Sequence, residues 1–360
     1  MNRERLWRSP SPRGDSNAAS RLLLRLVIGL GLVLLCASCG EKPATVNQPS
    51  GPNTFHVGGN FTFTPDGSSF IIEGVSGSPS DNEGDLYTVS SDGTKLSKIA
   101  DSSDKDFLSV SPDGKLIAYV NIANTAEQGQ IYVMNRDGTN SRRLTNFGGT
   151  YPSWSPDGSK IVYAHTPDNR FYPPGSFSSG MAQDYDIWQM NADGTSRRAL
   201  TDGKYDGIDP PHYSPDGKHI LFAVESIGSF ASRHQLMILD IGPDGSATNL
   251  RPVPLPPAAP VGSHNPKYGS IFDGDPSYSA DGSKIVFTSL RVSRPSPFDY
   301  EIWTANIDGT NLRQITHNQS RNQNPAFSPD GKYIYFTKAI WPCGLWRVGI
   351  DGSNLQQLLP

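Results

Sequence analysis

Histidines, cysteines and carboxylates are the residues through which this 360-residue chain could do chemistry, and their spacing is informative. The seven histidines are His56, His165, His212, His219, His234, His264 and His317. None forms a His-x-x-x-His pair, and Cys36, Cys39 and Cys343 offer no zinc-type spacing with them. A Gly-x-Ser-x-Gly nucleophile elbow is also absent, so a serine hydrolase domain is not encoded here. The carboxylates Asp104, Asp106, Asp209, Asp273 and Asp275 are a second candidate set, one that would attract cations or a basic peptide if they met in space. Whether any of these residues meet depends on the elements that carry them.

Those elements repeat. A Ser-Pro-Asp-Gly-like tetrapeptide begins at Thr64, Ser111, Ser155, Ser214, Ser279 and Ser328, and an Asp-Gly turn follows each at Asp92, Asp137, Asp193, Asp244, Asp308 and Asp351. Proline presets the first central turn angle, aspartate bonds back to the main chain, and glycine closes the hairpin. After each tetrapeptide come two apolar positions spaced by two, such as Ile117 and Tyr119 or Ile285 and Phe287. Both therefore face one side of a strand. The third strand pairs an aliphatic residue with a large one, as in Ile187-Trp188 and Leu345-Trp346, which predicts cover on both faces. Sheets buried on both faces by copies of themselves are propeller blades. The expected fold is all-β: a six-bladed β-propeller of four-stranded antiparallel blades, approximately 58–100, 104–145, 150–201, 209–250, 274–316 and 323–360. The 36 Gly and 30 Pro belong to its turns.

The run before each tetrapeptide, for example Pro325-Ala326-Phe327, is expected to be the innermost strand. The ring would then close by packing of the last blade on the first; alternatively, Thr54-Phe55-His56-Val57 supplies an outer strand to the last blade. Two residues before the tetrapeptides stand Thr62, Ser109, Ser153, His212, Ser277 and Ala326. His212 is the one imidazole in this column of small residues, placed to line a central channel as ligand, acid or base, or simply to bond a neighbouring loop. The loops leading into the innermost strands carry the five carboxylates named above with Tyr151 and Asn324, either as a ring about the axis or as ordinary polar turn residues.

Residues 1–38 carry six arginines, two acids and the apolar run Leu26 to Leu35, which reads as an export signal. Small residues before Cys39 resemble a bacterial lipobox and imply lipidation at Cys39, although Cys36 stands where a non-Cys apolar residue is usual; an ordinary signal or an uncleaved anchor is the alternative. Residues 39–53 read as a flexible tether, leaving 54–360 as the propeller. With Cys36 removed and Cys39 acylated, Cys343 has no disulfide partner. The net charge of −4 becomes more negative once the arginine-rich leader is gone, which argues against nucleic acid. The Arg142-Arg143 and Arg197-Arg198 pairs are expected to be solvated edge charges.

Ser155-Pro156-Asp157-Gly158-Ser159-Lys160-Ile161-Val162-Tyr163 and Asp186-Ile187-Trp188-Gln189-Met190-Asn191-Ala192-Asp193-Gly194-Thr195 resemble the WD-like Pro-Asp repeats of the TolB propeller family. All six units match, so the resemblance covers nearly everything after the tether. TolB proper adds an amino-terminal α/β domain and works in the Tol-Pal envelope system; this chain is similar to the propeller part alone. Related repeats also gate prolyl oligopeptidase-type and tricorn-type peptidases and form propeller lyases with histidine clusters about the axis.

Intervals between tetrapeptides run 47, 44, 59, 65 and 49 residues, which locates insertions in the third and fourth units. The first, Thr166 to Gln183, contains Arg170 and Tyr172; the second, Arg251 to Asp273, contains Tyr268. Arginine and aromatics among prolines suit a recognition loop, and the two insertions are expected at different rims. The function expected is a non-enzymatic, monomeric, lipid-tethered envelope propeller of the periplasm or outer membrane. It would bind a protein, peptide or glycan partner with no cofactor, metal or nucleic acid. The alternative is a propeller hydrolase or lyase acting on saccharides with a His/metal site in the channel, and a third possibility is an accessory gate for a separately encoded peptidase.

Overall fold

A computed structural model describes residues 55–76, 85–101, 105–121, 129–146, 148–165, 185–202, 205–228, 231–257, 272–291, 299–339 and 344–360. Each tetrapeptide folds as its composition dictates. Ser111 Oγ donates to Asp113 Oδ1 (2.7 Å) and accepts from Leu116 N–H (2.9 Å), while the Gly114 N–H donates to the Ser111 carbonyl (2.8 Å). The same hydroxyl-to-carboxylate bond recurs at Thr64, Ser155, Ser214, Ser279 and Ser328, each at 2.6 Å. The first residue is thus a buried hydroxyl that pins the turn, which explains why only Ser or Thr occupies it.

These turns join the two inner strands of every blade. Blade 1 comprises β1 (Phe55–Phe63), β2 (Ser69–Ser76), β3 (Asp85–Ser90) and β4 (Leu96–Asp101), and blade 2 comprises β5 (Lys105–Val110), β6 (Leu116–Asn121), β7 (Gln130–Asn135) and β8 (Arg142–Arg143). Blade 3 is β9 (Gly149–Trp154), β10 (Lys160–His165), β11 (Asp186–Asn191) and β12 (Arg198–Ala199). In blade 4 the Pro210-Pro211 pair, which has no N–H groups for the ladder, splits the inner strand into β13 (Gly207–Ile208) and β14 (His212–Tyr213). These lie against β15 (His219–Gly228), followed by β16 (Ala231–Ile241) and β17 (Ala247–Pro252). Blade 5 is β18 (Asp273–Tyr278), β19 (Lys284–Ser289), β20 (Glu301–Asn306) and β21 (Arg313–Gln314); blade 6 is β22 (Asn322–Phe327), β23 (Tyr333–Lys338), β24 (Gly344–Gly349) and β25 (Gln356–Leu359). Every sheet is antiparallel with the first strand innermost, and the structure is a six-bladed β-propeller. Among the described residues no helix is long and apolar enough to cross a membrane.

The apolar columns meet between blades. Phe70, Ile117, Ile161, Ile220, Ile285 and Ile334 are 0 % exposed, as are Ile72, Tyr163, Phe222, Phe287 and Phe336 beside Tyr119 at 1 %. On the third strands the aliphatic residue is fully buried in each blade, but Tyr132, Trp188, Met237, Trp303 and Trp346 remain partly exposed, since the short outer strands cover only part of that face.

Closure follows the first alternative. Blade 6 has four strands of its own, and Phe55 pairs back to Ser76 on β2 instead of joining the last blade. The seam is held by Phe63 edge-on to Tyr335 (5.0 Å between ring centres), by Tyr335 Oη donating to the Ser91 carbonyl (2.8 Å), and by Val57 N–H donating to the Pro360 carbonyl (3.1 Å).

One expectation is extended and another corrected. The arginines of the outer strands are exposed, yet they latch blades together: Arg142 donates to the Asp193 carbonyl, Arg198 to the Asp244 carbonyl and Arg313 to the Asp351 carbonyl, each on the Asp-Gly turn of the next blade. The insertions also do not open at different rims. In an antiparallel meander the link between strands two and three leaves on the side where the chain enters the blade. Accordingly, His165, where the first insertion begins, pairs with Gly149 at the start of β9, and Asp273, where the second ends, starts β18. These described ends lie on the upper rim, and all tetrapeptide and Asp-Gly turns lie on the lower.

Candidate binding site at the channel mouth

The six inner strands surround an axis, and five of them carry a register irregularity just above the column of small residues. A bulge places a residue at positive φ, and Phe107 (53°), Tyr151 (55°), Asp275 (47°) and Asn324 (51°) occupy such positions. Asn60 and the rigid Pro210 complete this level in blades 1 and 4. A cavity of about 170 Å³ is bounded by this upper ring and by a lower ring of Thr62, Ser109, Ser153, His212, Ser277 and Ala326. His212 therefore faces the channel.

The four described carboxylates of the five do not all face the axis. Asp273 turns away from the axis into a buried pair with Arg291, accepting Nε at 2.9 Å on Oδ1 and Nη2 at 2.5 Å on Oδ2, while Ser289 Oγ donates to Oδ1 at 2.6 Å. Both partners are under a tenth exposed, so Asp273 belongs to the framework of blade 5. Asp106 is not among the residues lining the cavity, and it accepts Asn60 Nδ2 (3.1 Å) and the Phe107 N–H (2.7 Å). Asp209 is likewise not among them, its Oδ2 accepting the Asp275 N–H at 3.0 Å. Of the acids described, Asp275 alone lines the cavity. Asp104, Arg170, Tyr172, Tyr268 and Cys39 lie outside the described residues.

Charge in this volume is poorly compensated. Desolvation raises Asp106, against the pull of Phe107 N–H and Asn60. Burial and then the Asp106 charge push Glu73 well above the usual carboxylate range. Burial and neighbouring Asp209 move Asp275 up to about 7, and burial raises Asp209 as well. The nearby imidazole is His234 on β16: burial disfavours its charge, but the Glu225 hydrogen bond and the carboxylates of Asp209, Glu225 and Asp275 outweigh that and raise its pKa. His234 Nε2 lies 3.5 Å from Glu225 Oε1, and its ring packs on Phe272 (4.2 Å). His212, with no such carboxylates, is driven down to about 4 by burial and stays neutral at pH 7.

Sequence reasoning missed His234, Glu225, Asn60 and Phe107. The last two stand in the same column as Tyr151, Asp275 and Asn324, two residues above the small one, so extending that column would have found them. His234 and Glu225 became legible only with the unusually long β15–β16 hairpin, where they face each other in register.

The TolB beta propeller domain family matches residues 53–246. An uncharacterized protein of Agrobacterium fabrum is 27% identical over 291 residues, covering 77% of this chain and 83% of its own length. The Tol-Pal system protein TolB of Francisella tularensis is 27% identical over 282 residues; the match takes in 66% of this chain but only 58% of that protein. Among solved structures, TolB from Acinetobacter baumannii superimposes with a TM-score of 0.56 at 18% identity, over 95% of this chain and 69% of that one. With the six blades, their repeated turns and this family match in agreement, the chain belongs to the TolB β-propeller domain family.

Proposed function

We propose that this protein is a non-enzymatic, exported envelope propeller, tethered by lipid at Cys39, that binds a protein, peptide or glycan partner at its upper rim. The asymmetry of the two rims carries this reading. The lower rim is spent on repeated turns and inter-blade latches, whereas the upper one bears the β15–β16 hairpin, the described ends of both long insertions and the open channel mouth. A fold that repeats on one side and varies on the other presents its specificity on the varied side. The likeness to Tol-Pal system TolB supports an envelope protein partner at this coarse level, across the part of that protein the chain spans. The hydrolase or lyase alternative gains no support from the donor set: among the described residues a single imidazole lines the cavity, and no three His, Cys, Asp or Glu side chains converge as a metal site.

The test is differential capture from detergent-solubilised envelopes. A Phe107→Asn/Tyr151→Asn variant, in which asparagine tolerates the positive φ, is expected to lose partners that wild type and a lower-rim Lys115→Ala/Lys332→Ala variant both retain. Equal capture by all three overturns the upper-rim assignment. Mass spectrometry of the membrane-extracted protein checks the tether, with acylation at Cys39 expected and an unmodified Cys39 counting against it.

A further inference from the structure

The cavity is not uniformly lined. Phe107 and Tyr151, from blades 2 and 3, pack edge to face with ring centres 4.5 Å apart and form one wall of the upper ring. In a ring of six blades, blades 5 and 6 lie opposite, and they contribute Asp275 and Asn324. An aromatic wall therefore faces a carboxylate and an amide across a narrow space.

Three groups at this mouth have hydrogen-bonding capacity that the described residues leave unfilled. Asp275 Oδ2 accepts the Asn324 N–H (3.3 Å) and Thr288 Oγ1 (3.5 Å), but Oδ1 accepts no hydrogen bond from a described residue. The Tyr151 hydroxyl and both ring nitrogens of His212 make no hydrogen bond with any described residue, and both side chains line the cavity. All three side chains are half-buried and open into the cavity, so each presents an unfilled polar group to any ligand that enters it.

The chemistry of that ligand follows from the surroundings. Near the lining lie Asp106 and Asp209: beside burial, both raise Tyr151 and Asp209 raises Asp275, so a further anion would be disfavoured. An aromatic wall with a carboxylate opposite suits an organic cation: the stem lies on the rings, and the charged N–H groups reach Asp275. A cavity of about 170 Å³ favours one side chain over a folded chain.

We infer that the channel mouth is a receptor pocket for a single guanidinium or alkylammonium group, held between the Phe107–Tyr151 wall and Asp275, with His212 beneath it. The inference deepens the proposed function and rests on it for the source of the cation, an arginine or lysine presented by the partner at the upper rim. The pocket itself is independent of any partner.

The purified propeller is titrated with argininamide by calorimetry and by ligand-observed NMR, with citrullinamide as the neutral isostere and methyl glucoside as a neutral polyol. Argininamide is expected to bind saturably with a dissociation constant on the order of a millimolar. Asp275→Asn, which keeps shape and positive φ, should weaken it at least about tenfold, and Tyr151→Asn should weaken it independently. Citrullinamide and methyl glucoside should not saturate. Absence of saturable argininamide binding, equal affinity in wild type and both variants, or equal binding of a neutral probe would each overturn the inference. Loss of this result with partner capture still dependent on the upper rim removes the cation pocket and leaves the proposed function. The converse pattern removes the partner reading and leaves the pocket.

Discussion

Asp275 and His234 titrate in the same direction for opposite reasons, and their sum is measurable. Asp275 holds its proton up to about 7 because burial and Asp209 disfavour a second charge, so the folded state binds protons more tightly than the unfolded one. Its contribution to stability therefore shrinks as pH rises from the ordinary carboxylate range through 7. His234, raised despite its burial, favours the fold below its unfolded pKa and loses that contribution as pH rises through its folded value. The melting temperature is expected to fall between pH 5 and pH 8, and to fall less in Asp275→Asn; parallel profiles for the two proteins would contradict this. The turn aspartates, such as Asp66 and Asp281, are held down to about 2 by hydroxyl and backbone donors and do not titrate in this window. Asp273 belongs to another category. Removing one member of its buried pair with Arg291 strands a charge, so Asp273→Ala should cost about 3–5 kcal/mol in urea denaturation. A loss well under 1 kcal/mol would show that Asp273 is not the framework residue its contacts make it.

At the scale of elements, the tetrapeptide does more than close a hairpin. Its proline packs on the glycine of the next blade's tetrapeptide: a methyl at Gly67 would sit 2.9 Å from Cγ of Pro329, and one at Gly282 would sit 3.2 Å from Cδ of Pro215. Five such contacts run around the lower rim, and the sixth is missing because Ala280 stands where proline stands in the other copies, leaving Gly331 with nothing near it. Ala280→Pro is expected to restore the contact and restrict the unfolded chain, raising the melting temperature by about 1–3 °C. Alanine at Gly67 and at Gly331 meets the same positive-φ strain, but only Gly67→Ala also drives into a proline ring, so it should be the more destabilising by about 1 kcal/mol. In an Ala280→Pro background that difference should vanish, which a double-mutant cycle would read. The turn was legible in Pro, Asp and Gly because turn chemistry is local. The proline–glycine contact was not, because its partners come from different blades.

For the whole molecule, the ring must close without a strand exchanged between its ends, so the seam depends on side-chain packing together with the Val57 N–H to Pro360 carbonyl bond. Phe63→Ala removes the edge contact to Tyr335 together with packing on Phe61 and Phe70, and about 2–4 kcal/mol of stability should go with it. A change under 1 kcal/mol would place the closure elsewhere. Closure also decides what the channel holds. The sequence by itself determined the number of blades, the strand order within each, the buried columns and the presence of His212 on the axis, because these follow from local turns and from alternation along a strand. The assembled fold was needed to show that Asp273 leaves the axis for Arg291, that the described ends of both insertions share one rim, that outer-strand arginines latch neighbouring blades, and that an aromatic pair faces Asp275 across the mouth. Each of these depends on which residues of different blades meet, and that is set by the closed ring and its bulges, not by spacing along the chain.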